Sequence, residues 1–399
     1  MKMETYALLA VLGLLGQGKV FSAGWPQFRG PDRNGISAET DWAGDGSKVA
    51  WTAEIGLGVS SFSVANGRVV TTGHADDQDT VFCFDATKGS LVWKHSYPAD
   101  LGDKYFEGGT SGTPTIHDGK VYHLSRWGDV FCFDAADGKV VWSKNVQKET
   151  GFRIPDWGYA GAPLVHGDLL ILNVGKAGVA LNLSTGDLVW KSEDENAGYS
   201  TPYPIKVGTQ ELVVIGSGES YIAVEPATGK QAWEIEWRTR YGVNAADPIL
   251  SGSELFVSSG YGRGCALFKL GAGDPEQVWL NKELRNQFNS SVLIDGALYG
   301  IDDDENKKAS LKCLDWKTGE LKWKEASIGF GALTAAAGKL ILITAKGELV
   351  ISKAAPGAYE ELSRVQVLSG KCWTAPVLAN GLIYCRNSEG SVVCLDLRK

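Results

Sequence analysis

Trp127 and Trp157 each have an arginine close by: Arg126 directly precedes the first, and Arg153 lies four residues before the second. An indole face beside a guanidinium can stack on and pair with a planar anion, such as a quinone carboxylate, or pack against a sugar ring. The alternative is a solvated rim that meets only water. Tyr159, Tyr199, Trp373, Asn244, Asn289 and Arg263 add ring, amide and cationic groups, and these ten residues form the candidate cofactor- or ligand-binding set. No catalytic set can be read. The five His (74, 95, 117, 123 and 166) are scattered, with no Ser-His-Asp spacing. Glu219 and Asp247 are the rim carboxylates that a carbohydrate-active enzyme would use. Asp302-Asp303-Asp304 with Glu305 has the hard oxygen ligands that calcium takes; beside Lys307 and Lys308 it reads as a solvated hairpin tip, and no metal site is expected.

These residues must be placed by a repeat. The segments FDATKGSLVW (84–93), FDAADGKVVW (133–142), LNLSTGDLVW (181–190), VEPATGKQAW (224–233) and LDWKTGELKW (314–323) share one pattern, with a looser copy ending at Trp279. With Trp51 the anchor tryptophans are 51, 93, 142, 190, 233, 279 and 323, separated by 42 to 49 residues. A period in that range, built of short strands and tight turns, predicts an all-β fold: a β-propeller with one four-stranded antiparallel blade per repeat. Repeat two reads most clearly, with strand A over Thr113–His117, B over Lys120–Ser125, C over Val130–Asp134 and D over Lys139–Lys144. The pairs Asn66-Gly67, Asp118-Gly119, His166-Gly167, Asp295-Gly296 and Asn380-Gly381 predict the A–B hairpin turns, and they account for much of the Gly content, 50 of 399 residues. The last segment, Trp373 to Leu397, supplies strands A to C but no D. Lys48–Thr52 is a D strand with nothing before it. The two ends therefore complete an eighth blade. A seven-bladed ring with the seventh or eighth repeat peripheral is the alternative.

Cys83, Cys132, Cys313 and Cys394 share one strand-C position and read as buried filler. Cys372 and Cys385 would be the pair to form a bridge if any does. Residues 1–23 read as a secretion signal: Lys2, an apolar run from Tyr6 to Gly16 too short to span a bilayer, then small residues at Ser22 and Ala23. No Cys in that segment offers a lipid attachment site. The expected organisation is signal 1–23, leader 24–47 and propeller 48–399, in the periplasm or outside the cell. The net charge of −8, with no basic run, argues against nucleic-acid binding.

The repeat and the split last blade resemble the pyrroloquinoline-quinone (PQQ)-type propeller superfamily over about residues 48–399. The opening Trp25-Pro26-Gln27-Phe28-Arg29-Gly30-Pro31, with Asn34-Gly35, is similar to the leader of a secreted bacterial branch of PQQ-binding-like repeat proteins. Better-understood relatives are the PQQ-dependent alcohol dehydrogenases and the propeller lipoprotein of the outer-membrane assembly machinery. The first resemblance implies PQQ with Ca²⁺, the second a protein partner. The chain departs from both. It has no adjacent cysteine pair and no lipid-anchoring Cys after the signal, so the cofactor stays unknown. In a propeller the D–A and B–C loops emerge on one face, and here the D–A loops (Tyr97–Gly108, Gln147–Gly158, Glu234–Gly242) are long and irregular. Function is expected on that face, at the channel mouth. The expected function is a non-catalytic binding or scaffold propeller of the bacterial envelope, monomeric and not membrane-spanning, that holds a protein, peptide or glycan. The alternatives are a PQQ-dependent oxidoreductase acting on alcohols or sugars, and a carbohydrate-active enzyme.

Overall fold

The turn between strands C and D of a repeat is a local hydrogen-bond device. In repeat two the Asp134 carboxylate accepts from the Ala136 amide at 2.9 Å, and the Gly138 amide donates back to the Asp134 carbonyl at 2.9 Å. The turn reverses the chain from strand C (Asp129–Asp134) into strand D (Val140–Asn145). Strands A (Thr115–His117) and B (Lys120–Leu124) complete a four-stranded antiparallel sheet in the order A-B-C-D. A computed structural model describes residues 24–303 and 308–398. The secretion signal expected over residues 1–23, and Asp304, Glu305 and Lys307, lie outside the described residues.

Eight such sheets follow one another around the chain. Blades 1 to 6 occupy residues 63–98, 115–145, 164–191, 203–236, 249–281 and 292–325. Blade 7 spans 331–366 and carries the short strand Ile36–Ser37 in parallel on its strand A. Blade 8 takes three strands from 377–396 and its outermost strand, Val49–Glu54, from near the start of the chain, paired antiparallel to Ser391–Asp396. The ring is therefore eight-bladed and closed by the N-terminal strand, which removes the open sheet edge an unclosed blade would leave. The seven-bladed alternative is overturned: the seventh repeat builds a full blade although it lacks an anchor tryptophan.

Every blade has a β-bulge on strand D directly before one register position. That position holds Trp51, Trp93, Trp142, Trp190, Trp233, Trp279 or Trp323 in seven blades, and Ser363, opposite Ile351, in blade 7. The bulge lets strand D turn the indole toward the next blade. There its Nε1 donates to a carbonyl in the neighbour's C–D turn: Trp51 to Ala86, Trp93 to Ala135, Trp142 to Leu183, Trp190 to Pro226, Trp279 to Trp316 and Trp323 to Ala355, at 2.7–3.1 Å. The ring lies over the turn glycine. A Cβ added to Gly138 would sit 2.6 Å from the Trp93 ring, at a φ of +73° that already disfavours side chains.

The cores lie between blades. One cluster joins Trp51, Val377, Tyr384 and Cys394 of blade 8 to Val64, Val69 and Phe84 of blade 1. All seven cysteines are buried free thiols, so the Cys372–Cys385 bridge does not form; both pack in the cluster between blades 7 and 8. The A–B turns use positive φ as expected at Asn66-Gly67, Asp118-Gly119, Asp295-Gly296 and Asn380-Gly381. In blade 3 the two loop residues are Gly167-Asp168 instead of His166-Gly167, because His166 pairs with Leu169.

The leader crosses the A–B side of the ring. Trp25 exchanges both backbone hydrogen bonds with Val64 of blade 1, the Pro26 carbonyl accepts from Ile116 of blade 2, and the Gly35 carbonyl accepts from Ala335 of blade 7. The Glu39 carboxylate accepts from Asn380 and Gly381 in the A–B turn of blade 8.

Because Trp142 is docked and Ser363 is not, Trp142→Ala should lower the unfolding free energy by about 3–5 kcal/mol. Ser363→Ala should lower it by less than about 0.5 kcal/mol. Urea denaturation of the two variants checks this, and equal losses would contradict the role assigned to that register position.

Candidate functional site

Strand A is the innermost strand of each blade, and neighbouring strands A are in contact from blade 1 through blade 3 and from blade 6 through blade 8. The residues that enter these strands from the D–A side are small (Ser61, Ser111, Ala160, Ala245, Thr374), so the ring keeps a space at its centre. That space is a cavity of about 450 Å³, within the size range of ligand pockets. Its far wall is the leader: Trp25, Phe28, Arg29 and Gly35 line it. The leader thus floors the channel on the A–B side and makes it a pit.

Aromatic rings crowd the other end. Trp157 packs against Tyr105 at 5.4 Å, Tyr199 at 6.0 Å and Tyr241 at 6.5 Å, and Tyr241 meets Tyr261 edge-on at 5.1 Å. Across the mouth Phe288 stacks on Trp373, with centroids 5.1 Å apart and planes 19° apart. Tyr105, Tyr241 and Phe288 are 47–50 % exposed, an unusual state for large rings on a rigid scaffold. Cations sit on these rings: Lys104 on Tyr105, Arg240 on Tyr241 and Lys371 on Trp373, 4.3–5.1 Å from the centroids. Lys371 also pairs with Glu107.

Of the ten candidate residues, Trp157, Tyr199, Asn289 and Trp373 line the pit. Arg126 is buried and commits its guanidinium to the chain. Nη1 donates to the Leu101 and Gly109 carbonyls and Nη2 to the Trp157 carbonyl, at 2.8–2.9 Å. Burial lowers its pKa. It ties two D–A loops to its own blade and does not face the pit. Trp127 bonds the Asp100 carbonyl, and Arg153 is exposed, away from the cavity lining. Tyr159 is fully buried between blades 2 and 3 and does not line the pit. Asn244 is fully buried, donating to the Ser217 and Trp237 carbonyls and accepting from Ser259. Arg263 lies 3.6 Å from the centre of the Trp237 ring. The expected pairing of Arg126 and Arg153 with a ligand anion is thus replaced by backbone service and solvent exposure.

Sequence reasoning missed Tyr105, Phe106, Tyr241 and the leader residues, all set by chain that departs from the repeat. The irregular D–A loops pointed toward the first three; nothing in the spacing placed the leader in the channel.

The carboxylates also differ from expectation. Glu219 faces solvent and pairs with Arg238, whereas Asp247 is buried behind Thr201 of the pit lining, accepting from the Thr201 amide at 2.7 Å. They do not form a rim pair. Asp302 and Asp303 are buried, not solvated. Asp302 is held by Arg285 at 2.7 Å and Lys312 at 2.9 Å, which leaves it no role as a calcium ligand. Asp303 accepts from Asn289 Nδ2 at 2.9 Å, and burial pushes its carboxyl up to about 8. One proton on Asp303 supplies a donor where two buried acceptors, Asp303 Oδ1 and Asn289 Oδ1, have none. His74 with Asp79, and Tyr97 with His123, form buried pairs away from the pit lining. PQQ, which the resemblance implies together with Ca²⁺, is a planar tricarboxylate. Among the described residues Arg29 is the one cation lining the pit, and no group of three or more His, Cys, Asp or Glu side chains is placed to share a metal ion. This donor set does not fit that cofactor.

Comparison with protein families matches the model described as "Outer membrane protein assembly factor BamB" over residues 77–325 and 307–399. Among solved structures, BamB from Moraxella catarrhalis superposes with a TM-score of 0.65 at 16 % identity, covering 87 % of this chain and 99 % of that one. Quinohemoprotein alcohol dehydrogenase ADHIIG from Pseudomonas putida HK5 gives 0.67 at 15 % identity, over 94 % and 80 %. A europium-containing methanol dehydrogenase gives 0.68 at 13 % identity, over 94 % and 89 %. At these identities the likeness shows the fold alone. No curated protein matches by sequence.

Asp303 makes stability depend on pH. An unfolded Asp titrates near about 3.9, and the folded one at about 8. Between those values the folded chain holds a proton that the unfolded chain has lost. Stability therefore falls as pH rises through this window, by up to about 1.4 kcal/mol per pH unit. Asp303→Asn keeps the shape and the donor and should remove that part of the slope. Thermal midpoints of both proteins from pH 5 to 8 check it; an unchanged slope in the variant would contradict a protonated Asp303.

Proposed function

The chain belongs to the PQQ-repeat propeller family described as outer membrane protein assembly factor BamB, and from that premise we propose that it is a non-catalytic binding propeller of the bacterial envelope. In this reading it acts in the periplasm as a monomer and holds a protein or peptide partner on its D–A/B–C face. The observation that carries the reading is the mouth: half-exposed Tyr105, Tyr241 and Phe288 surround a pit on the face where the irregular loops gather. Exposed rings of that size, held by a rigid ring of blades, are the anchors from which protein interfaces draw most of their affinity. Among the described residues no helix is long and apolar enough to cross a membrane.

A second reading, a quinoprotein-like oxidoreductase, draws on the shared fold with the alcohol dehydrogenases. Its cost is the donor set of the pit. Calorimetric titration with PQQ and Ca²⁺ separates the two readings: heat of binding in the micromolar range would favour the oxidoreductase.

For the binding reading, the variant Tyr105→Ser/Tyr241→Ser/Phe288→Ser should lose at least tenfold in recovery of a specific envelope partner relative to wild type. Its thermal midpoint should stay within a few degrees, because these rings are already half in solvent. Val141→Ser, on an exposed outer strand, should recover the partner as wild type does. Undiminished capture by the triple variant would refute the mouth as the binding face.

A further inference from the structure

Arg29 lies at the floor of the pit, 6 % exposed. Nε donates to the Arg33 carbonyl at 3.2 Å and Nη2 to the Ser291 carbonyl at 2.8 Å. Nη1 makes no hydrogen bond to the described residues, and no carboxylate among them lies within ion-pair distance of the guanidinium. Asp247 is the acid whose charge acts on it through space, and Arg33 and Tyr203 are the other titratable groups of that neighbourhood. A buried guanidinium held by two carbonyls, without a paired anion, is an expensive arrangement. A second buried group at the same level also lacks a partner: Thr334 Oγ1, on the pit wall beside the Ala335 that bonds the leader.

We infer that the pit is a binding site for a monocarboxylate with an aromatic or apolar body. The carboxylate meets Arg29 Nη1 at the leader floor, and the body stands between the rings of the mouth. This rests on the reading of the mouth as a binding face and names what enters it. The chemistry is complementary at both ends. A charge-assisted hydrogen bond in a water-poor site completes the guanidinium, and Trp157, Phe288 and Trp373 offer flat apolar faces above it. Two sources carry such a group: a small aromatic acid, and the free C-terminus of a peptide that ends in an apolar residue.

Asp247 gives the site a pH signature. Its carboxyl is pushed up to about 6 by burial, against the pull of Arg29 and Arg33. A bound carboxylate repels the ionised Asp247, so binding tightens as pH falls through about 6 and weakens above it.

The test is calorimetry on the full chain with 3-phenylpropionate and with its neutral amide, then with one Phe-ended tetrapeptide bearing either a free or an amidated C-terminus. The acid should bind at least tenfold tighter than the amide, with the preference larger at pH 5.5 than at 7.5. The peptide pair says which source fits: discrimination between its two forms assigns the chain terminus, and discrimination confined to the small acid assigns the metabolite. Arg29→Gln should abolish the preference, and Asp247→Asn should strengthen acid binding at pH 7.5 and flatten its pH dependence. Circular dichroism screens both variants for folding, and the wild-type acid–amide comparison stands without them. Equal binding of acid and amide, or no binding of either, overturns the inference. No acid–amide preference in the wild type, with capture still lost in the mouth triple variant, would strike this site alone; a wild-type preference with undiminished capture by that variant would strike the function proposed above.

Discussion

The contact between an indole of one blade and the C–D turn of the next holds this molecule together. It has three parts that must coincide: a bulge that aims the ring, a carbonyl that takes its N–H, and a glycine with no Cβ beneath it. The geometry is visible at Trp93, Ala135 and Gly138 and recurs at Trp51, Trp142, Trp190 and Trp279. Each indole buries most of its surface while satisfying its only donor, which is why tryptophan serves here where a phenylalanine would not. Repeating one contact around a circle fixes the angle between blades and hence their number. Blade 7, with Ser363 at the docking position, is carried by its neighbours and by the leader strand on its inner edge.

The central space follows from that geometry. Eight innermost strands cannot meet on the axis, so small residues at their entries leave a channel. What makes the channel a site is the chain outside the repeat. The D–A loops bring Tyr105, Trp157 and Tyr241 to one end, and the leader brings Phe28 and Arg29 to the other. Scaffold and site thus come from different parts of the sequence.

That division also explains what was legible before the structure. The eight blades, the closing strand Val49–Glu54 and the strand-C cysteines could be read because each expresses a period. At single positions reading was less complete. Arg126 beside Trp127 had the composition of an anion site, but composition does not say where a guanidinium points. Its burial sends it to the carbonyls of Leu101, Gly109 and Trp157, which take the place of the water it has lost. Asp302 and Asp303 read as a solvated tip because the sequence does not reveal that Arg285 and Lys312 fold over the first and that the second is walled in by Asn289. The leader was visible as a motif, and its place in the channel was not, since residues that meet once across the ring leave no periodic trace.

A binding role requires the mouth to be the surface that meets another molecule. A photo-activatable benzophenone amino acid placed at position 288, and separately at position 141 on the outer strand of blade 2, in protein made by its native cells, reads this directly. A discrete cross-linked species is expected from position 288 and none from position 141. Cross-links from position 141 with none from position 288 would contradict that role.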